Sequence, residues 1–128
     1  MFCTKRADPN GSELSVFKKS GDDFLPHSTV SFDENLARMA GAFINHDGKS
    51  YRPAQECNVQ YGHAVSIQEV SKEGEIFSFK EVRRLFSVHP KYNIGMHTFN
   101  YNNNRIIVDS LGFHNNWIRK ILKFFKVI

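Results

Sequence analysis

Hydrophobic residues, many of them Phe, occur along this chain in short runs separated by Gly, Asn and Asp. Val65 and Ile67, for example, alternate with Ser66 and Gln68, which is the period-two pattern of a half-buried strand. The 128 residues include 41% hydrophobic and 13% aromatic positions, with 12 Phe, enough for one core. The pattern therefore predicts one all-β domain of antiparallel strands.

Turn residues divide this pattern into three predicted antiparallel units between about Glu13 and Gly112. In the first unit, a strand over 14–19 turns at 21–23 and returns from Phe24, where Pro26 interrupts the returning strand. The second unit begins with a hairpin around Asp47-Gly48, because Asp-Gly between two apolar runs favours a tight turn. We expect order to begin near Glu13.

The rest of the second unit is predicted as two strands, over 63–70 and 76–85, with a turn at 72–75. The third unit is a hairpin whose strands cover 96–101 and 105–109. Its turn is Asn102-Asn103-Asn104, because Asn is the non-Gly residue that best tolerates the left-handed conformation.

The two ends of the chain differ from this pattern. Residues 1–12 are polar and predict a loop or frayed end. Residues 113–128 predict a basic amphipathic helix that starts near Asn115, a favoured N-cap. Its apolar face would consist of Trp117, Ile118, Ile121, Leu122 and Phe125, and its cations are Arg119, Lys120, Lys123 and Lys126.

Charge and cysteine usage narrow the function classes. Lys and Arg number 17 against 13 Asp and Glu, but much of the excess lies in the C-terminal segment, so nucleic-acid binding is not expected. Cys3 and Cys57 fit no CxxC spacing and are expected to be reduced thiols. Neither an export signal nor 18 consecutive apolar residues are found, so the expected location is the cytoplasm.

The densest group of polar side chains with chemical potential is the run from Tyr51 to Cys57. Arg52 offers a planar fork for carboxylate, phosphate or sugar hydroxyls, Gln55 both donates and accepts, and Glu56 is a candidate acid. The alternative is structural: Arg52 and Glu56, or another carboxylate, neutralise each other inside the fold.

His97 begins the last hairpin directly after Gly95-Met96, and is either a ligand-binding side chain or a satisfied structural histidine. The six histidines show no HxH or HExxH spacing, so neither a metal nor another cofactor is expected.

Taken in order, several short motifs resemble a known family. They are Arg38-Met39-Ala40-Gly41, the Asp-Gly turn, the run 51–57, Tyr61-Gly62, His97-Thr98-Phe99-Asn100 and Val108-Asp109. Together they resemble the glycosidase-like β-propeller domain at the N-terminus of glucosamine inositolphosphorylceramide transferases, and its bacterial relatives linked to cell-surface polysaccharide synthesis. The resemblance covers residues 13–112.

This resemblance implies two to three blades of a five-bladed β-propeller with a polar pocket at its axis. The residues that it implies for that pocket are Arg38, Arg52, Gln55, Glu56, His97 and Asp109. A full domain of this kind is more than twice as long, and glycoside hydrolysis needs two carboxyl groups around the scissile bond. Glu56 is therefore only a tentative catalytic residue, and we expect sugar or sugar-phosphate binding rather than an enzyme acting on its own.

Three hypotheses compete at this stage. The first is a carbohydrate-handling domain in which Arg52, Gln55, Glu56 and His97 converge. The second is a peripheral membrane or protein-docking module that uses the C-terminal segment, whose apolar face would otherwise pack on the β domain. The third is a folded remnant without independent activity. In each case exposed blade edges would favour homo-oligomers.

Overall fold

The computed structural model describes residues 1–112 and, beyond them, Trp117, Lys120, Leu122 and Phe124. The strands in this part of the chain form three antiparallel sheets, which confirms the all-β prediction. The predicted helix over 113–128, with its Asn115 cap, lies outside the described residues except for those four, whose backbone is helical. That helix therefore stays a prediction.

The first sheet contains β1 (Phe2–Thr4), β2 (Glu13–Ser20) and β3 (Asp23–Ser31), in that order. Two features differ from the prediction. Phe2 is not frayed, because β1 pairs with β2 and its ring contacts three other phenylalanines. Pro26 does not end β3, because it pairs with Phe17 and a bulge at His27 shifts the register and lets the strand continue.

The central sheet contains β4 (Ile44–His46), β5 (Lys49–Glu56), β6 (Ala64–Glu73) and β7 (Ile76–Leu85), in that order. The predicted turn between β4 and β5 is confirmed, since Asp47 and Gly48 have φ of 49° and 73°. The predicted strand over 76–85 coincides with β7. The segment 38–40 continues the β4 edge, because Gln55 N–H donates to Arg38 O and Ala40 N–H to Pro53 O.

The terminal hairpin contains β8 (Phe99–Asn102) and β9 (Arg105–Val108). Its predicted asparagine turn is confirmed, with φ of 49° at Asn103 and 59° at Asn104. The hairpin is attached to the rest of the fold by the bond from Phe99 N–H to Ala40 O.

The central sheet is covered on both faces, and the period of two sorts its side chains between them. Arg52, Ala54, Glu56, Ser66 and Gln68 point toward the first sheet, where Phe32 and Phe79 lie. On the other face, Val65 forms a buried cluster with Ala40 and Met96, against which Ile67, Leu85 and Phe99 pack. We call these the first-sheet face and the hairpin face.

Candidate functional site

Arg52 is enclosed on the first-sheet face. Its side chain is fully buried, its guanidinium carbon lies 5.4 Å from the Phe32 ring centre and 5.3 Å from that of Phe79, and Nε donates to Met39 Sδ. Nη1 donates to Gln68 Oε1 at 2.6 Å and Nη2 donates to Ala37 O. Burial lowers the pKa of Arg52 to about 10, so the group remains protonated at neutral pH.

This arrangement fits neither interpretation offered by the sequence. Arg52 has no surface on which a ligand could rest, and its partners are neutral acceptors and aromatic rings rather than a carboxylate. A charge buried in this way is held by hydrogen bonds and cation–π contacts. Arg52 therefore acts as an internal brace that links the central sheet to the segment 32–39.

Glu56 contacts a histidine instead of Arg52. Its Oε2 lies 2.5 Å from His63 Nδ1 and its Oε1 accepts the Asn58 N–H at 2.7 Å. The Glu56 side chain is 3% exposed, whereas that of His63 is 30% exposed and contacts the Phe86 ring. The carboxylate thus orients the imidazole from below, and the histidine rather than Glu56 meets solvent.

A group of solvent-accessible polar side chains forms where the segment 38–40, the loop after β5 and the approach to β8 meet. Arg38 lies over the Tyr61 ring, 5.2 Å from its centre, and donates to Asn10 Oδ1 at 3.2 Å. The Tyr61 ring is in turn 5.3 Å from the His97 ring. His97 Nδ1 pairs with Asp109 Oδ2. We call Arg38, Tyr61, His97 and Asp109 the Tyr61 cluster.

Backbone geometry holds this cluster in place. Asp109 Oδ1 accepts the N–H groups of His97 at 2.9 Å and Thr98 at 2.8 Å, so the carboxylate fixes both the backbone and the ring of the histidine. The contact of Nδ1 with Asp109 leaves Nε2 as the ring nitrogen that can meet a ligand. Gly62 has φ of 62°, and a Cβ there would lie 2.5 Å from His97 Cβ, so only glycine permits this close approach.

Gln55 lies beside the cluster on the hairpin face, opposite to Arg52 in the alternation of β5. Its Nε2 donates to Met39 O at 3.3 Å, and Oε1 is a buried acceptor that receives no donor from the described residues. The hairpin face also has an open, mainly apolar groove of about 330 Å³, lined by Ile44, His46, Tyr51, Ile67, Phe99 and Tyr101.

Of the six residues implied for the pocket, the structure brings Arg38, His97 and Asp109 together and places Gln55 next to them. The predicted convergence fails for Arg52, which points to the other face, and Glu56 belongs to a separate pair. Tyr61 was not among the predicted site residues, although it links Arg38 to His97. The signal available in the sequence was the Tyr61-Gly62 motif.

Two further features of the described residues bear on chemistry. No three His, Cys, Asp or Glu side chains of this part of the chain come together as metal ligands. An ion-pair network of Glu81, Arg84 and Glu34 lies beside a second pocket, with Arg84 Nη2 2.8 Å from each carboxylate.

Within the described residues, no helix is long and apolar enough to cross a membrane.

Comparison with known proteins adds no relative. No protein-family model, no curated protein and no solved structure matches the chain. The fold and the site together define an antiparallel all-β protein with a solvent-facing cluster of arginine, tyrosine, histidine and aspartate.

Proposed function

We propose that the chain is a carbohydrate-handling fragment of a five-bladed β-propeller, and that it binds a sugar or sugar phosphate at the Tyr61 cluster. The single observation that carries this proposal is the Tyr61 ring, which is 45% exposed and lies between the Arg38 guanidinium and the His97–Asp109 pair. An aromatic face suits the apolar face of a sugar ring, and the polar groups around it suit its hydroxyls.

The polar groups of the cluster have complementary roles. The Arg38 guanidinium is a planar donor that suits a phosphate, a carboxylate or two neighbouring hydroxyls, and among the described residues its hydrogen bond to Asn10 Oδ1 uses only Nη1. His97 Nε2 and the remaining lone pairs of Asp109 can bond to hydroxyl groups. Because the Arg38 guanidinium is a cation, an acidic or phosphorylated sugar should bind more tightly than a neutral one.

The propeller part of the proposal is supported by the order of the strands. Propeller blades are four-stranded antiparallel sheets whose strands follow each other in sequence. The central sheet has this order, β4-β5-β6-β7, and a three-stranded sheet precedes it while a hairpin follows it along the chain. The relation to polysaccharide or glycolipid synthesis rests only on the resemblance of the short motifs.

Binding is favoured over hydrolysis by the positions of the carboxylates. Hydrolysis needs two carboxyl groups about 5 to 9.5 Å apart on either side of the scissile bond. Asp109 is tied to His97 and to two backbone N–H groups, while Glu56 is buried beneath His63. Neither is placed to protonate a leaving group, so Glu56 is not proposed as a catalytic residue.

Calorimetric titration with neutral, uronic and phosphorylated monosaccharides tests this function. We expect Tyr61→Ala and Arg38→Ala to weaken binding at least about tenfold, since each loses a contact of roughly 1.4 kcal/mol or more. Tyr101→Ala is the matched control, because Tyr101 is a comparably exposed tyrosine (39%) outside the cluster. Equal weakening by the control, or no binding of any sugar by the parent chain, contradicts the proposal.

A second candidate function is docking to an anionic membrane or a protein partner through the C-terminal segment. It is favoured by the exposure of two large apolar side chains, Trp117 at 62% and Phe124 at 82%. Co-sedimentation with vesicles that contain anionic lipid should then fall for Trp117→Ser and with rising salt. Unchanged co-sedimentation would remove this alternative.

A further inference from the structure

The outer strands of the three sheets are protected to very different degrees. Exposed strand edges invite pairing with other chains unless Pro, charges, bulges or short length prevent it. β3 contains Pro26 and a bulge at His27, β7 contains Lys80, Glu81, Arg83 and Arg84, and β1 and β4 have three residues each. These four of the six outer strands therefore have a recognisable defence, and a fifth, β8, donates from Phe99 N–H to Ala40 O.

β9 is the least protected outer strand, because its only charged residue is Arg105 and its four residues make it longer than β1 and β4. In the described part of the chain its outer edge pairs with no strand, and all four of its residues are exposed. Ile106, Ile107 and Val108 are 61%, 64% and 46% exposed, and the strand contains neither Pro nor a bulge. Because backbone hydrogen-bonding directions alternate along an antiparallel strand, half of its N–H and C=O groups point away from β8.

The sequence of this edge is complementary to itself. If two copies of β9 run antiparallel and Ile107 lies opposite Ile107, then Ile106 lies opposite Val108. Arg105 then lies opposite Asp109 at both ends of the pairing. A twofold axis through Ile107 thus pairs apolar with apolar residues and cation with carboxylate, as an isologous interface requires.

We propose that β9 is a dimerisation strand that pairs with the β9 of a second copy in this register. The pairing joins two terminal hairpins into one four-stranded sheet, β8-β9-β9-β8, and covers the least protected edge of the described sheets. It also adds stability to a two-stranded hairpin, which is marginal alone. The contact is small, so the dimer should depend on concentration.

Sedimentation velocity of the full chain over a range of concentrations tests the proposal, and the central residue tests the register. Ile107→Lys and Ile107→Asp each place like charges opposite one another, so each variant alone should weaken dimerisation about fivefold or more. An equimolar mixture should dimerise again, because Lys then faces Asp. Ile76→Lys is the matched control, since Ile76 is 74% exposed at the start of the charged strand β7.

Each outcome decides the matter. A chain that stays monomeric at all concentrations overturns the proposal, as does an Ile107→Lys variant that dimerises like the parent. A mixture that stays monomeric overturns the register. Far-ultraviolet circular dichroism checks that the variants keep their sheets, which we expect because Ile107 is mostly exposed within the chain. None of these results depends on sugar binding.

Discussion

In two regions of this molecule an arginine lies beside an aromatic ring, but one arginine is buried and the other is partly exposed. Arg52 is fully buried between Phe32 and Phe79, and its hydrogen bonds go to protein acceptors. Arg38 lies partly exposed above Tyr61, and that ring also meets solvent. The comparison teaches that enclosure, rather than residue type, decides which arginine braces the fold and which is available to a ligand.

The aromatic packing around Arg52 explains why its region is closed. Phe2 contacts Phe77 and Phe43 with ring centres 5.2 and 5.3 Å apart, and Phe32 lies 5.7 Å from Phe79. These rings come from the first sheet, the central sheet and the segment before β4. They exclude water from the guanidinium, which strengthens its remaining electrostatic contacts.

Substituting each arginine by alanine tests most directly whether Arg52 and Arg38 contribute differently to stability. Arg52→Ala should lower the free energy of unfolding by about 3 to 5 kcal/mol, because it leaves a cavity and two unpaired buried acceptors, Gln68 Oε1 and Ala37 O. Arg38→Ala should cost about 1 kcal/mol or less, since an exposed side chain loses little. Urea denaturation measures both values. Similar losses would contradict the distinction between brace and ligand group.

A pair of glycine substitutions tests whether the close approach of Gly62 to His97 is needed in the Tyr61 cluster. Gly62→Ala combines a positive φ with a collision against His97 Cβ, so it should cost about 2 to 3 kcal/mol and displace the histidine. Gly48→Ala is the matched control, because Gly48 has φ of 73° but nothing within 4 Å. It should cost only about 1 kcal/mol. Thermal unfolding of the two variants separates the cost of backbone strain from the cost of the collision with His97. Equal losses of stability would show that the His97 contact is unimportant.

The smallest expected effect concerns acid stability at the edge of the closed region. Partial burial raises the pKa of Glu81, but hydrogen bonds from Arg84 and Ser66 outweigh this and leave the pKa below its ordinary value. The stability from Glu81 is therefore present above the unfolded pKa and lost as pH falls through the folded one. Because the pair is solvated, the contribution should stay below about 1 kcal/mol.

Unfolding measured between neutral and acidic pH for Glu81→Gln checks this effect. The variant should be less stable than the parent chain at neutral pH, and the two should converge on acidification. Glu73→Gln, which changes an exposed carboxylate at the end of β6, serves as control. A difference that grows as pH falls would have the wrong sign.

The same contrast explains how far the sequence could predict the fold. Local signals sufficed for the first half of β5, most of β6, all of β7 and the turns at Asp47-Gly48 and Asn103-Asn104, because period-two patterns and positive φ depend on neighbouring residues. They failed for β1, since Phe2 is ordered by pairing with Val16 and by rings far away along the chain.

For the candidate site, the short motifs identified the segments that meet there, but they did not show which side chains point to the same face of the central sheet. Alternation along β5 already separates Arg52 from Gln55, and applying it would have removed Arg52 from the pocket. The burial of Arg52 could not be read from its neighbours, because Phe32, Gln68 and Phe79 are distant in sequence. Tyr61 was missed because its role depends on contacts with Arg38 and His97.

The central claim, that the Tyr61 cluster binds a sugar while the Arg52 region stays closed, is tested most directly by nuclear magnetic resonance. The isotope-labelled chain would be titrated with uronic and phosphorylated monosaccharides. The account predicts saturable shifts of the amide signals of Tyr61, Gly62, His97 and Thr98, with those of Arg52 and Gln68 unchanged. Shifts confined to Arg52, Gln68 and the pocket beside Arg84, or no saturable shifts at all, would contradict it.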